Sequence, residues 1–170
     1  GTDILDKEAK KLGIELVAIR SNFTDTVFSE NTEAEFTRFY DKLRQTDTLP
    51  VSSQPSPAEF LELFEDAKEK QEEVVVITIS SKLSGTYNGA MLAKDMAEYD
   101  NIYVVDSLQA SLSERLLVEY AVKLRDAGMG AKELVRKLEQ DRERVILTGV
   151  PSTLLYLKMG GRISPVVAAV

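Results

Sequence analysis

From Val74 to Ala90 the chain passes from a dense apolar run into a hydroxyl-rich loop and then into helix-forming sequence. Val74, Val75, Val76, Ile77 and Ile79 are β-branched and broken by one Thr, the pattern of a strand covered on both faces. Ser80, Ser81, Ser84, Gly85 and Thr86 follow at once, and Tyr87 to Tyr99 has helical character. A buried strand that hands a Ser/Gly loop to a helix N-terminus builds a place for an anion. Unpaired backbone N–H groups and the helix dipole both favour negative charge there.

The rest of the chain repeats the alternation. Asp3 or Asp6 is positioned to cap a first helix ending near Gly13, and Ile14 to Ile19 reads as a strand. Residues 21–31 read as a polar loop. Thr32 and Glu35 have capping-box spacing ahead of a helix carrying Phe36, Phe39, Tyr40 and Leu43. Residues 50–57 form a Pro/Ser loop, after which Ser56, Pro57 and Glu59 start a helix with Phe60, Leu63, Phe64 and Ala67 on one face. Ile102 to Val105 reads as another buried strand, ending at Asp106-Ser107. A long helix carrying Leu112, Leu116, Leu117, Tyr120, Ala121 and Leu124 stops at Gly128 and Gly130, and Leu134, Val135 and Leu138 mark a further one. Arg144 to Val150 reads as a fourth strand, residues 154–158 as a short helix before Gly160-Gly161, and Pro165 as the start of another helix. The expected class is α/β: a mainly parallel, Rossmann-like sheet with helices on both faces, forming three layers. Such sheets bind ligands beyond the carboxyl ends of their strands. Three features are expected at strand exits: Ser80–Thr86, Asp106-Ser107 and the segment Thr148–Thr153.

Composition narrows the chemistry. The net charge of −7 and the absence of a basic patch argue against nucleic acid as a partner. With no Cys and no His, this chain completes neither a Ser-His-Asp triad nor a typical zinc site, and no metal or cofactor is expected. No apolar run approaches the roughly 20 residues of a membrane-spanning helix. A cytoplasmic location is the default expectation.

Each motif has a plain structural explanation beside a functional one. Ser80–Thr86 lacks the GxxxxGK[ST] arrangement of a nucleotide-binding loop, so a carboxylate or single phosphate fits it better than a nucleoside triphosphate. Ser84 can donate its hydroxyl, with amides around Gly85 and Thr86 aimed at the same place; the plain alternative is a capped helix start. Ser52, Ser53 and Gln54 precede a capping Ser and two prolines; a Ser-rich loop is commonly just a turn. Arg162, after Gly160-Gly161, is either a surface residue past a helix stop or a cation approaching the same anion. Asp106 is either a base or the cap of the turn that follows it.

Four segments in register resemble the DegV family: Leu49-Pro50-Val51-Ser52-Ser53-Gln54-Pro55-Ser56-Pro57, Ile79-Ser80-Ser81-Lys82-Leu83-Ser84-Gly85-Thr86-Tyr87, Val105-Asp106-Ser107, and Leu157-Lys158-Met159-Gly160-Gly161-Arg162-Ile163-Ser164. The resemblance covers roughly residues 3–165. It implies an N-terminal α/β domain over residues 1–150, with 151–170 leading into a second domain and a long-chain fatty acid held between the two. It assigns Ser52 and Ser84 to the carboxylate and Arg162 to the neighbourhood of the head group; Ser53, Gly85 and Thr86 join them as ligand-binding candidates from their places in the same two loops. It also implies a non-catalytic binding subunit whose bound carboxylate is phosphorylated by a separate ATP-dependent fatty acid kinase.

The chain departs from the family pattern at several points. The family begins with a strand and an acidic-hydroxyl turn, of which only Thr2-Asp3 corresponds here. Ser52 stands where the family has Thr, and Ser152 where it often has Asp. A head-group His from the second domain has no counterpart, so half a site is expected. Two other classes remain open: a phosphotransfer or hydrolytic enzyme using the Ser84 loop and Asp106, and an interaction module without a small ligand.

Overall fold

The computed structural model describes residues 2–46, 48–150 and 153–164. Its elements in order are α1 (Asp6–Leu12), β1 (Arg20–Asn22), β2 (Val27–Phe28), α2 (Glu33–Gln45), β3 (Val51–Ser53), α3 (Pro57–Lys70), β4 (Val74–Thr78), α4 (Thr86–Ala97), β5 (Ile102–Asp106), α5 (Ser111–Asp126), α6 (Ala131–Asp141), a 3-10 turn (Arg142–Arg144) and α7 (Leu155–Met159).

β4 and β5 pair in parallel, from Val74 against Ile102 to Thr78 against Asp106. Their side chains alternate between two cores, as the period of a strand requires. Val74, Val76, Ile102 and Val104 join Phe60 and Phe64 of α3 and Ala90, Ala93 and Ala97 of α4. Val75, Ile77 and Val105 join Leu117 and Ala121 of α5 and Leu134 and Leu138 of α6. Helices therefore cover both faces of the pair, giving the three-layer α/β arrangement expected from the sequence. The alanines of α4 leave room for α3 to approach closely, so Phe60 and Phe64 bury almost completely.

A second, antiparallel sheet in the order β2-β1-β3 carries the first hydroxyl loop. Arg20, Ser21 and Asn22 of β1 stand opposite Ser53, Ser52 and Val51 of β3. Behind it Phe23, Phe28 and Phe39 stack edge-on or tilted, with ring centroids 5.5–5.7 Å apart, tying α2 to the sheet.

Several local expectations are corrected. Residues 14–19 join no ladder; pairing begins only at Arg20. Residues 145–150 likewise form no strand, and Ile146 and Val150 are exposed without a cover. Thr148–Thr153 is therefore not a strand exit, and its residues 151 and 152 lie outside those described. Apolar periodicity marks burial-prone backbone, but a strand also needs a hydrogen-bonded neighbour, and neither segment has one among the described residues. The loops read at 21–31 and 50–57 contain β2, β3 and most of β1; polar residues concealed β1 and β3, and β2 is only two residues long. α1 is capped by neither Asp3 nor Asp6: Leu5 is its N-cap, and Glu8 Oε2 accepts from the Leu5 amide at 2.9 Å. Gly13 does end it in the left-handed region, at φ 60°. The helix expected from Pro165 lies outside the described residues.

Candidate functional site

Two hydroxyl-bearing loops meet at the carboxyl end of the parallel pair. The first is the β3–α3 connection. Ser53 Oγ accepts from Asn22 Nδ2 at 3.0 Å, and the same amide reaches Val51 O at 3.1 Å. At the helix start, the Ser56 amide and hydroxyl both donate to Glu59 Oε2 at 2.9 Å. Arg20 grips that carboxylate with both guanidinium arms, Nη2 to Oε1 at 2.5 Å and Nη1 to Oε2 at 3.0 Å. The Arg20 fork and then the Ser56 donors hold the Glu59 carboxyl down at about 2. Ser52 to Ser56 is thus pinned from both sides, with Pro55 fully buried beneath it.

The second is the β4–α4 loop. Ser80, itself buried, anchors it: its amide donates to Gln109 O, and its carbonyl accepts from the amides of Leu83 and Ser84. Ser84 Oγ lies 2.9 Å from Thr86 Oγ1 and accepts weakly from the Thr86 amide at 3.4 Å. Gly85 is the N-cap of α4 and carries no capping side chain. Among the described residues, the amides of Gly85, Tyr87 and Asn88 have no acceptor. A helix start with open amides and two adjacent hydroxyls can satisfy an oxyanion.

Gln54 links the loops. Its side-chain amide covers Gly85, with Cδ 3.1 Å and Nε2 3.2 Å from where a Cβ on Gly85 would stand, and Pro55 O lies 3.7 Å from the equivalent point on Gly89. The glycines let the first loop lie directly on the N-terminus of α4. Arg162 reaches the first loop, its Nη2 3.4 Å from Ser52 Oγ, while Nη1 is held by Gly160 O at 2.5 Å.

Asp106 acts as a turn cap. One oxygen, Oδ1, accepts from the Ser81 amide at 3.0 Å and the Leu108 amide at 3.1 Å. Burial pushes its carboxyl up, but these donors and nearby Arg142 outweigh it, leaving the group below its ordinary range. Arg142 also braces the strand end by donating to Asp106 O at 2.6 Å. A carboxylate held below its ordinary range is a weak general base.

Of the residues read from the sequence, Ser52, Ser53 and Arg162 thus gather on one loop, and Ser84, Gly85 and Thr86 on the other. Gln54, Asn22 and the Arg20–Glu59 pair were missed. Gln54 had a sequence signal, since neither the prolines nor the Ser56 cap accounts for it, and Glu59 was legible only as a capping residue and not as the partner of Arg20. No cluster of metal-ligating side chains occurs among the described residues, and no helix there is long and apolar enough to cross a membrane.

The site thus lies on a two-faced α/β unit, where the β3–α3 hydroxyl loop is laid over the open N-terminus of α4. The chain belongs to the DegV family, whose model, described as "Uncharacterised protein, DegV family", matches residues 1–170. A DegV domain-containing protein of Caldanaerobacter subterraneus is 32% identical over 96% of this chain and 58% of its own length. The chain therefore spans little more than half of that relative. Among solved structures, a DegV family protein from Thermus thermophilus, described for its fatty acid binding, superposes with a TM-score of 0.81 at 30% identity, over 98% of this chain and 60% of that one. The Fatty Acid Kinase (Fak) B3 protein of Streptococcus pneumoniae, loaded with linoleic acid, has a TM-score of 0.77 at 29% identity, over 91% and 55%.

Proposed function

We propose that this chain is the head-group-binding part of a fatty-acid carrier. The carrying observation is the Gln54–Gly85 contact, which sets the Ser52-Ser53 loop against the Ser84–Thr86 helix start. A carboxylate taken from water needs several donors. Ser84 and Thr86 hydroxyls, the open amides of α4, Ser52 and Arg162 supply them, with Ser53 held in reserve by Asn22. Likeness to proteins described as binding fatty acids supports the choice of a carboxylate over a phosphate.

In this reading residues 1–150 form the head-group domain and 151–170 lead into a second domain that closes the site. The protein is not itself catalytic. It presents the carboxylate to an ATP-dependent kinase in the cytoplasm, which forms the acyl phosphate. The hydrogen bonds from the Ser81 and Leu108 amides to Asp106 Oδ1 support this reading over hydrolysis or phosphotransfer at the Ser84 loop.

Native mass spectrometry of the full-length protein expressed in bacteria tests the proposal. A bound acyl-chain mass is expected, and it should become an acyl phosphate only when kinase and ATP are added. A consistently empty protein, or turnover without the kinase, overturns it.

A further inference from the structure

Gln109 and Arg142 exchange hydrogen bonds between two turns, the one that leaves β5 and the one that follows α6. Gln109 Nε2 spends both of its hydrogens on the second turn, donating to Arg142 O at 3.0 Å and to Val145 O at 2.9 Å. Arg142 returns the contact, its Nη1 donating to Asp106 O at 2.6 Å. Gln109 is buried, so removing its donors would leave two carbonyls unsatisfied away from water.

The main chain of the same residue carries the anion loop. Gln109 O accepts from the Ser80 amide at 2.8 Å. Ser80 O accepts in turn from the amides of Leu83 at 2.9 Å and Ser84 at 3.2 Å. Ser80 Oγ accepts from the Lys82 amide at 3.3 Å. Residues 82–84 therefore hang on Ser80, and Ser80 hangs on Gln109.

The β5–α5 turn does not hold its shape by local preference. Leu108 has φ 56°, the left-handed region that a bulky side chain rarely adopts. Inside the turn, the Leu108 amide donates to Asp106 Oδ1 at 3.1 Å and the Gln109 amide to Ser107 Oγ at 3.0 Å. Backbone in such a conformation persists where its surroundings over-determine it, and the clasp to residues 142–145 supplies the outer ties.

We propose that Gln109 is a positioning residue for head-group binding. Its side-chain amide, clasped to residues 142–145, fixes the carbonyl from which the Ser84 loop is hung. It acts through Ser80 and does not touch the ligand. The proposal rests on the fatty-acid reading for its ligand, whereas the chain of hydrogen bonds stands without it.

The test is a double-mutant cycle in the full-length protein, with Gln109→Met, Ser84→Ala and their combination. Gln109→Met keeps the length of the side chain and removes both donors. Displacement of a fluorescent fatty acid by oleate is the readout. Gln109→Met should weaken binding about fivefold in the parent and less than about twofold once Ser84 is Ala, because its effect passes through Ser84. A general loss of packing would weaken both backgrounds alike, so equal factors overturn the proposal. Amide hydrogen exchange without ligand is the second readout. Leu83 and Ser84 should exchange about tenfold faster in Gln109→Met, while the amides of α3 stay unchanged. Unchanged exchange at Leu83 and Ser84 overturns the proposal as well. If Gln109→Met does not fold, Gln109→Asn, which draws the amide back by one methylene, is read in the same cycle against the same criteria. A parent protein that binds no fatty acid sinks the fatty-acid reading and this role with it, whereas a binding parent with equal factors sinks the role of Gln109 alone.

Discussion

The side-chain amide of Gln54 occupies the space into which a Cβ on Gly85 would project, its Oε1 being the nearest atom. Because the blocked group is the far end of a flexible side chain, Gly85→Ala should keep the fold and displace Gln54 instead. Gly85 has φ −75°, so Ala meets no backbone strain there. The expected result is a thermal midpoint within a few degrees of the parent and fatty-acid affinity lowered about tenfold, measured by displacement of a fluorescent fatty acid. Unchanged affinity would mean that the two loops act independently.

Ser84 and Ser52 should not contribute equally. Ser84 is half-buried and tied to Thr86, whereas Ser52 is exposed with only a long contact from Arg162. A hydrogen bond to a charged group contributes about 1.5–3 kcal/mol. Ser84→Ala should therefore weaken fatty-acid binding roughly ten- to hundredfold, and Ser52→Ala by a smaller factor that grows when Arg162→Ala is combined with it. Equal small losses for Ser84→Ala and Ser52→Ala in direct titrations would move the head group away from α4.

What the sequence disclosed and what it hid divide along physical lines. Helices were legible from their ends, since Thr32, Ser56-Pro57-Glu59 and Gly13 carry local capping chemistry that needs no partner. The buried strands β4 and β5 were legible because both faces are apolar. Residues 14–19 and 144–150 share that composition, yet whether they pair depends on a neighbouring edge, which is a tertiary fact. The short strands β1 and β3 were hidden for the converse reason: Arg20, Ser21, Asn22, Ser52 and Ser53 read as loop, and only their register against each other makes them a sheet. The site residues were visible as residue types. The side-chain braces Asn22, Arg20 and Glu59 were not, because nothing local relates positions 20 and 59.

The Arg20–Glu59 fork should give the β3–α3 loop a signature in acid. Glu59 titrates at about 2 when folded, against an ordinary value of 4.5. A carboxyl with a depressed folded value contributes stability that is complete above about 4.5 and is lost as pH falls toward 2. Both side chains are about one-third exposed, so solvent screening limits the effect to about 1 kcal/mol. Glu59→Gln should destabilise the chain at pH 7 by that amount and flatten its stability profile between pH 4.5 and 2. A profile of unchanged slope would show that the pair adds nothing to folding.

Glu114 should produce the opposite dependence. Burial raises its carboxyl to about 7, with the Asp3 carboxylate adding to the rise. The folded chain therefore holds a proton that the unfolded chain releases near 4.5. The resulting stability is complete below about 4.5 and is lost as pH climbs to about 7, where the buried side chain must ionise without a partner for Oε2. Glu114→Gln keeps the shape and removes the charge. At pH 8 it should stabilise the chain by on the order of 1–3 kcal/mol, since a tenfold change in proton affinity corresponds to about 1.4 kcal/mol and relaxation absorbs part of the total. At pH 4.5 the two proteins should unfold at nearly the same denaturant concentration. Urea unfolding at the two pH values checks this, and equal differences at both would place the ionised Glu114 in a solvated setting.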